Sequence, residues 1–155
     1  MKPTDNQFMT HIEYYDNKKY QLAQKFACWV PIYPEQDIVT DFARLNTDGF
    51  LVIDMGNACD GPSGPTIDTK NSMRGAWIHD VLYDFIEKGL LPKKYRKVAD
   101  KIFKKALKKD GMEFIRRNIW FLAVKYFGAS SADPNNPDEI ITAPDKQHWG
   151  ILDLR

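Results

Sequence analysis

The chain has 155 residues, of which 43% are hydrophobic and 28% charged, with a formal net charge of +1. That length suits one domain with a real buried core, and the composition is ordinary for a soluble globular protein. No apolar run reaches about 18 residues, the start Met1-Lys2-Pro3-Thr4-Asp5 lacks the basic-then-apolar form of a signal peptide, and Cys28 and Cys59 are too few for a disulfide framework.

Charge is unevenly placed. Residues 1–60 carry a net −4, residues 61–130 a net +8 and residues 131–155 a net −3. A basic middle between acidic ends is either a solvated helix face or a surface for a phosphate-bearing partner.

In chain order, residues 1–10 read as a loose lead-in. Ile12-Glu13-Tyr14-Tyr15 and Tyr20-Gln21-Leu22-Ala23 flank Asp16-Asn17-Lys18-Lys19 and predict a hairpin. Phe26-Ala27-Cys28-Trp29-Val30 predicts a strand stopped by Pro31. Ile38-Val39-Thr40-Asp41-Phe42-Ala43 and Phe50-Leu51-Val52-Ile53 predict two more strands around Asn46-Thr47-Asp48-Gly49. Residues 12–55 are thus expected to be antiparallel β. Residues 56–72 hold two Gly-Pro steps, Gly61-Pro62 and Gly64-Pro65, and predict a loop, and no Gly-Lys-Ser/Thr follows to make it a phosphate loop.

Asn71 or Ser72 is the expected cap of a helix whose apolar residues, Trp77, Ile78, Val81, Leu82, Phe85 and Ile86, recur at helical spacing. Gly89 ends it. Pro92 opens a second helix with an apolar face of Tyr95, Val98, Ala99, Ile102, Phe103, Ala106 and Leu107, covered elsewhere by lysines, and Asp110-Gly111 ends that one. A third, buried helix is expected over residues 113–127, closed by Gly128. Residues 129–155 read as an irregular tail whose Trp149-Gly150-Ile151-Leu152 is apolar enough to dock. The fold expected over 1–155 is a single α+β domain. An N-terminal antiparallel hairpin and sheet pack on a three-helix C-terminal part (73–128) that contains an antiparallel helix hairpin.

The candidate site lies on that hairpin. His79 is eleven residues before Leu90 and Asp100 ten after it, so at about 1.5 Å per residue the two are level on antiparallel helices. Asp100 falls at the margin of the apolar face, within reach of the imidazole. There it would fix one tautomer and leave the other ring nitrogen as the base. Tyr83, one turn from His79, is placed to donate to Asp100. Asp80 points about 100° away from His79, towards a different neighbour, and the carbonyl-rich stretch Asp60 to Gly64 is the natural one. Carbonyl oxygens plus a carboxylate make a hard-cation site suited to calcium. The plain alternative is a satisfied polar pair between helices, with Asp80 on the surface and Tyr83 in the core. His11 and His148 lie in terminal segments and the cysteines lack paired spacing, which argues against zinc.

Four segments carry a family resemblance: Asp60-Gly61-Pro62-Ser63-Gly64-Pro65, His79-Asp80-Val81-Leu82-Tyr83, Ala99-Asp100-Lys101-Ile102-Phe103 and Val124-Lys125-Tyr126-Phe127-Gly128. Together they resemble the phage and prophage family filed as domain of unknown function 1353, over roughly Tyr20 to Gly128. The resemblance implies a phage or bacterial origin, with a bacterial host cytoplasm or a virion as the location, and no established activity. The His-Asp core with its glycine-rich loop also resembles the centre of secreted phospholipase A2. That likeness implies calcium held by Asp80, by Asp60 and by carbonyls near Gly61 and Gly64, with His79 as base, Asp100 behind it and Tyr83 bracing Asp100. It covers about fifty residues and lacks that family's disulfides. Two functions follow as expectations: a calcium-assisted ester hydrolase drawn to anionic membrane lipid, or a non-enzymatic phage virion, tail or assembly protein that docks on other phage structural proteins. Nucleic-acid binding is disfavoured, because arginines are few on the basic helix and no recognition motif is present.

Overall fold

The computed structural model describes residues 11–16, 20–59, 70–112, 117, 136–144 and 150–155. Among the described residues the chain makes two β-sheets and an antiparallel pair of helices. The first sheet contains β1 (Ile12–Asp16), β2 (Tyr20–Leu22), β7 (Ala58–Cys59) and β8 (Asn136–Ala143), in the order β7-β2-β1-β8. The second contains β3 (Phe26–Trp29), β4 (Ile38–Val39), β5 (Ala43–Leu45), β6 (Phe50–Ile53) and β9 (Leu152–Asp153), in the order β4-β5-β6-β3-β9. All pairings are antiparallel except β3 with β9.

The expected hairpin forms, with Tyr14 opposite Leu22 and Asp16 opposite Tyr20. Tyr20 and Leu22 are buried and Gln21 exposed, the period-2 pattern of a half-buried strand. β6 is buried at every position because its two faces meet different clusters. Leu51 and Ile53 join the main core, while Phe50 and Val52 pack with Ala27, Trp29 and Ile151. The turn before β6 requires Gly49. Its φ is +87°, and a Cβ there would lie 2.3 Å from the Val30 carbonyl oxygen.

The run 38–43 is not one strand. Thr40 N–H and its hydroxyl both donate to the Ala43 carbonyl, at 2.8 and 2.9 Å, and the chain reverses so that Ile38 faces Leu45. Thr40-Asp41-Phe42 makes this turn without glycine or proline, so the β-prone run hid it. The tail is not irregular throughout either, and the sheets are not confined to the N-terminal part. β8 pairs with β1 and β9 with β3. Pro137 obscured β8 because proline argues against a central strand, but β8 is the edge of its sheet, where a missing N–H is tolerated. The apolar end docks through buried Leu152 and Leu154, with Leu154 N–H donating to the Trp29 carbonyl at 2.8 Å.

The helices are α1 (Lys70–Glu87) and α2 (Arg96–Lys109), the second preceded by a 3-10 turn at Lys93–Tyr95. α1 starts before the expected caps, so Ser72 is buried inside it. Both helices end in the expected glycine. At α1, Leu90 N–H donates to the Phe85 carbonyl and Gly89 N–H to that of Ile86, with Gly89 at φ +72°; at α2, Met112 and Gly111 do the same to Leu107 and Lys108. These are paired bonds that close otherwise unsatisfied helix carbonyls. The third helix expected over 113–127 lies outside the described residues, apart from Arg117. No described helix is long and apolar enough to cross a membrane.

Helix α1 is buried all round from Ser72 to His79 and on one face after that. Trp77 is fully buried, its indole N–H donating to Asn57 Oδ1 at 2.9 Å and its ring against Tyr14 of β1. The two helices pack tightly at Gly75, where a Cβ would lie 3.2 Å from Ala106 Cβ and 3.4 Å from the Phe103 carbonyl. Beside this contact the Arg74 guanidinium grips Asp110, whose side chain is fully buried. Burial pushes the Asp110 carboxyl up to about 6, with Arg74 pulling the other way.

Candidate active site

The antiparallel pairing of α1 and α2 brings the predicted pair face to face. His79 Nε2–H donates to Asp100 Oδ1 at 2.9 Å, and the Tyr83 hydroxyl donates to the same oxygen at 2.7 Å. Helical periodicity sets this up. His79 and Tyr83 lie one turn apart on α1, and their rings stack at 4.1 Å between centroids. Phe103, one turn after Asp100 on α2, closes over the imidazole at 5.4 Å. His79 and Asp100 are 6% and 8% exposed, so the pair is nearly enclosed.

Burial alone would raise the Asp100 carboxyl. The hydrogen bonds from His79 and Tyr83, with the nearby charge of Arg96, outweigh it, and the group lies below its ordinary value. Asp100 is therefore a carboxylate at neutral pH and must accept both bonds. In the neutral form of the imidazole that places the proton on Nε2 and makes Nδ1 the basic atom. Among the described residues nothing pairs with Nδ1. Burial and the Asp100 carboxylate both push the Tyr83 phenol up, so it stays a donor.

Asp80 points elsewhere, as helix geometry requires. Its Oδ2 accepts from the Cys59 thiol at 3.1 Å. Cys59 ends β7, held in place by the pairing of Tyr20 with Cys59, so the end of that strand lies right beside the Asp80 carboxylate. Asp60, Gly61 and Gly64, the other expected metal-binding positions, lie outside the described residues. The described residues contain no cluster of three or more His, Cys, Asp or Glu that could hold a metal. What they do supply is one hard carboxylate, Asp80, beside the end of β7, a donor type that suits an oxygen-donor site.

Two neighbours escaped the sequence reading. Cys59 could have been suspected only from its place at the edge of the Gly/Pro loop. Arg96 carries no sequence signal that sets it apart from the lysines of the same polar face, yet its guanidinium carbon lies 5.4 Å from the centre of the Tyr83 ring. Cys28 plays no part: it is fully buried in the core, and burial pushes its thiol far up.

A pair of helices carrying a His–Asp–Tyr network against a small sheet defines an α+β protein with a built polar site. Comparison with known families gives this class a label. The chain belongs to the family described as protein of unknown function (DUF1353), whose model matches residues 43–124. That match takes in β5, β6, β7 and both helices, and so every described residue of the site. Neither the curated proteins nor the solved structures yield a match.

Proposed function

We propose that this chain is a phage- or prophage-encoded hydrolase of carboxylic esters, with His79 as general base. The observation that carries the reading is the one-sided ring: Nε2 is tied to Asp100 at 2.9 Å and Nδ1 is left without a described partner. In this reading Nδ1 takes a proton from water as the water attacks the acyl carbonyl. Asp100 holds the imidazole in the right tautomer and faces the positive charge that develops on it. Tyr83 braces Asp100. Asp80, with Asp60 and carbonyls near Gly61 and Gly64, would hold calcium; such an ion supplies positive charge for the developing oxyanion. The lysine-covered face of α2 favours substrates presented on an anionic lipid surface.

The test is hydrolysis of short-chain esters and phospholipid vesicles by purified protein with calcium and with a chelator. His79→Ala is expected to lower the rate by about 100-fold or more, at an unchanged calcium-induced rise in melting midpoint. Equal rates for wild type and His79→Ala refute the reading.

A second reading is favoured by one observation, the near-complete enclosure of His79 and Asp100. Buried polar networks fix the pairing of packed helices. In that case the chain is a non-enzymatic virion, tail or assembly protein of a phage. A fixed copy number in purified virions, with no esterase activity, supports this alternative and removes the first.

A further inference from the structure

We propose that Arg96 is an anion-binding residue of this site, so that the ester it cleaves carries a carboxylate or phosphate close to the scissile bond. The inference rests on the hydrolase reading for its chemistry and adds the substrate class.

Position comes first. Arg96 is the first residue of α2, and its guanidinium lies against the phenol ring of Tyr83, the same ring that stacks on His79. The cation therefore stands one side chain away from the base, at the rim of an enclosed pair. Arg96 itself is exposed, whereas His79 and Asp100 are buried. A group bound on the guanidinium would sit at the boundary between solvent and the imidazole, where a substrate has to enter.

Residue type comes second. Six lysines follow in α2, at 97, 101, 104, 105, 108 and 109, and Arg96 is the helix's one arginine. A long aliphatic stem would cover Tyr83 equally well from a lysine. A guanidinium adds a planar fork of N–H donors that matches carboxylate and phosphate oxygens two at a time, and it stacks on an aromatic face while doing so. Tyr83 supplies that face, 5.4 Å from the guanidinium carbon.

Charge balance comes third. Among the described residues no carboxylate comes within ion-pair distance of Arg96. The nearest acid on its helix, Asp100, has Oδ1 committed to His79 and Tyr83. Lys93, Lys94 and Lys97 flank Arg96 on the exposed side, so the local field there is positive even with the Asp100 carboxylate one turn along the helix.

The test has a binding arm and a turnover arm. In the first, inorganic phosphate is titrated into the full chain while the ring resonances of Tyr83 and His79 are followed by NMR. Wild type is expected to show saturable shifts of both rings. Arg96→Met, which keeps the stem and drops the fork, is expected to weaken binding about tenfold or more; Arg96→Lys should weaken it less. Lys108→Met, the same charge change at the far end of α2, should stay within about twofold of wild type. In the second arm, paired esters differing only in a carboxylate or phosphate near the scissile bond are compared. The preference for the anionic member should collapse in Arg96→Met. A phosphate on phosphatidylglycerol vesicles and one on a soluble glycerol phosphate ester separate a lipid headgroup from a small-molecule source, and a preference for either supports the inference. Phosphate affinity at the Tyr83 ring that is unchanged in Arg96→Met overturns it. If no ester is hydrolysed, the hydrolase reading falls, and the binding arm still decides the role of Arg96.

Discussion

Asp100 accepts two hydrogen bonds on one oxygen, so its replacement separates loss of charge from loss of an acceptor. Asp100→Ala strands the Nε2–H of a nearly buried histidine and the hydroxyl of the half-buried Tyr83. An orphaned buried donor costs about 1–3 kcal/mol, and Tyr83 recovers part of its share from water, so about 3 kcal/mol is expected in total. Asp100→Asn keeps a neutral acceptor in the same place and gives up only the charge assistance, about 1 kcal/mol. The measurement is urea unfolding followed by tryptophan fluorescence, which reports through the buried Trp77. The acid dependence has a definite sign. The folded-state Asp100 carboxyl titrates below its ordinary value. Its contribution is therefore present above the unfolded carboxylate pKa and is lost as pH falls through the lower, folded one. The gap between wild type and Asp100→Ala should narrow as pH is taken from about 5 towards 2. Equal stabilities for the Ala and Asn variants, or a gap that does not change in acid, would show that His79 and Tyr83 do not depend on this carboxylate.

Tyr83→Phe removes one of the two donors and should cost about 1 kcal/mol in the same urea titration, since Tyr83 itself is only half-buried. Asp110 has the opposite acid dependence: its folded-state pKa is raised to about 6, so its contribution is present below the unfolded value and lost as pH rises through that range. Asp110→Asn should accordingly flatten the decline in melting midpoint between about pH 4 and pH 6. Arg74→Met leaves Asp110 enclosed without its guanidinium and should cost about 3–5 kcal/mol, recovered when Asp110→Leu is added, as a double-mutant cycle would report. Gly75→Val forces a branched side chain against Ala106 and the Phe103 backbone and should destabilise by about 1–3 kcal/mol in calorimetry.

The helices were the most legible part of the chain. Their apolar positions recur over four or five turns, and their glycine stops sit where a left-handed residue closes the last carbonyls. The level placement of His79 and Asp100 followed from rise per residue and a short connection, two quantities fixed by backbone geometry. What stayed hidden depends on contacts between distant segments. β8 and β9 find their partners more than a hundred residues earlier in the chain, and no local pattern encodes that choice. The split of 38–43 into two strands rests on a threonine-anchored turn that propensity does not single out. The bond from Cys59 to Asp80 and the seat of Arg96 on Tyr83 needed the packing of β7 and of the helix pair before they had meaning. The ion pair of Arg74 with Asp110 was equally invisible, because each residue looks like surface charge at its own end of a helix.

The placement of β8 and β9 also bears on how the molecule is made. During synthesis the first hairpin and the Phe26–Trp29 strand leave the ribosome long before the segments that will lie against them. Until residues 136–143 and 152–153 emerge, one edge of β1 and one edge of β3 carry open backbone groups. Exposed edges of that kind template pairing with other chains. Nascent or truncated forms that stop short of residue 136 should therefore be held by chaperones or aggregate, even with the site-bearing helices already complete.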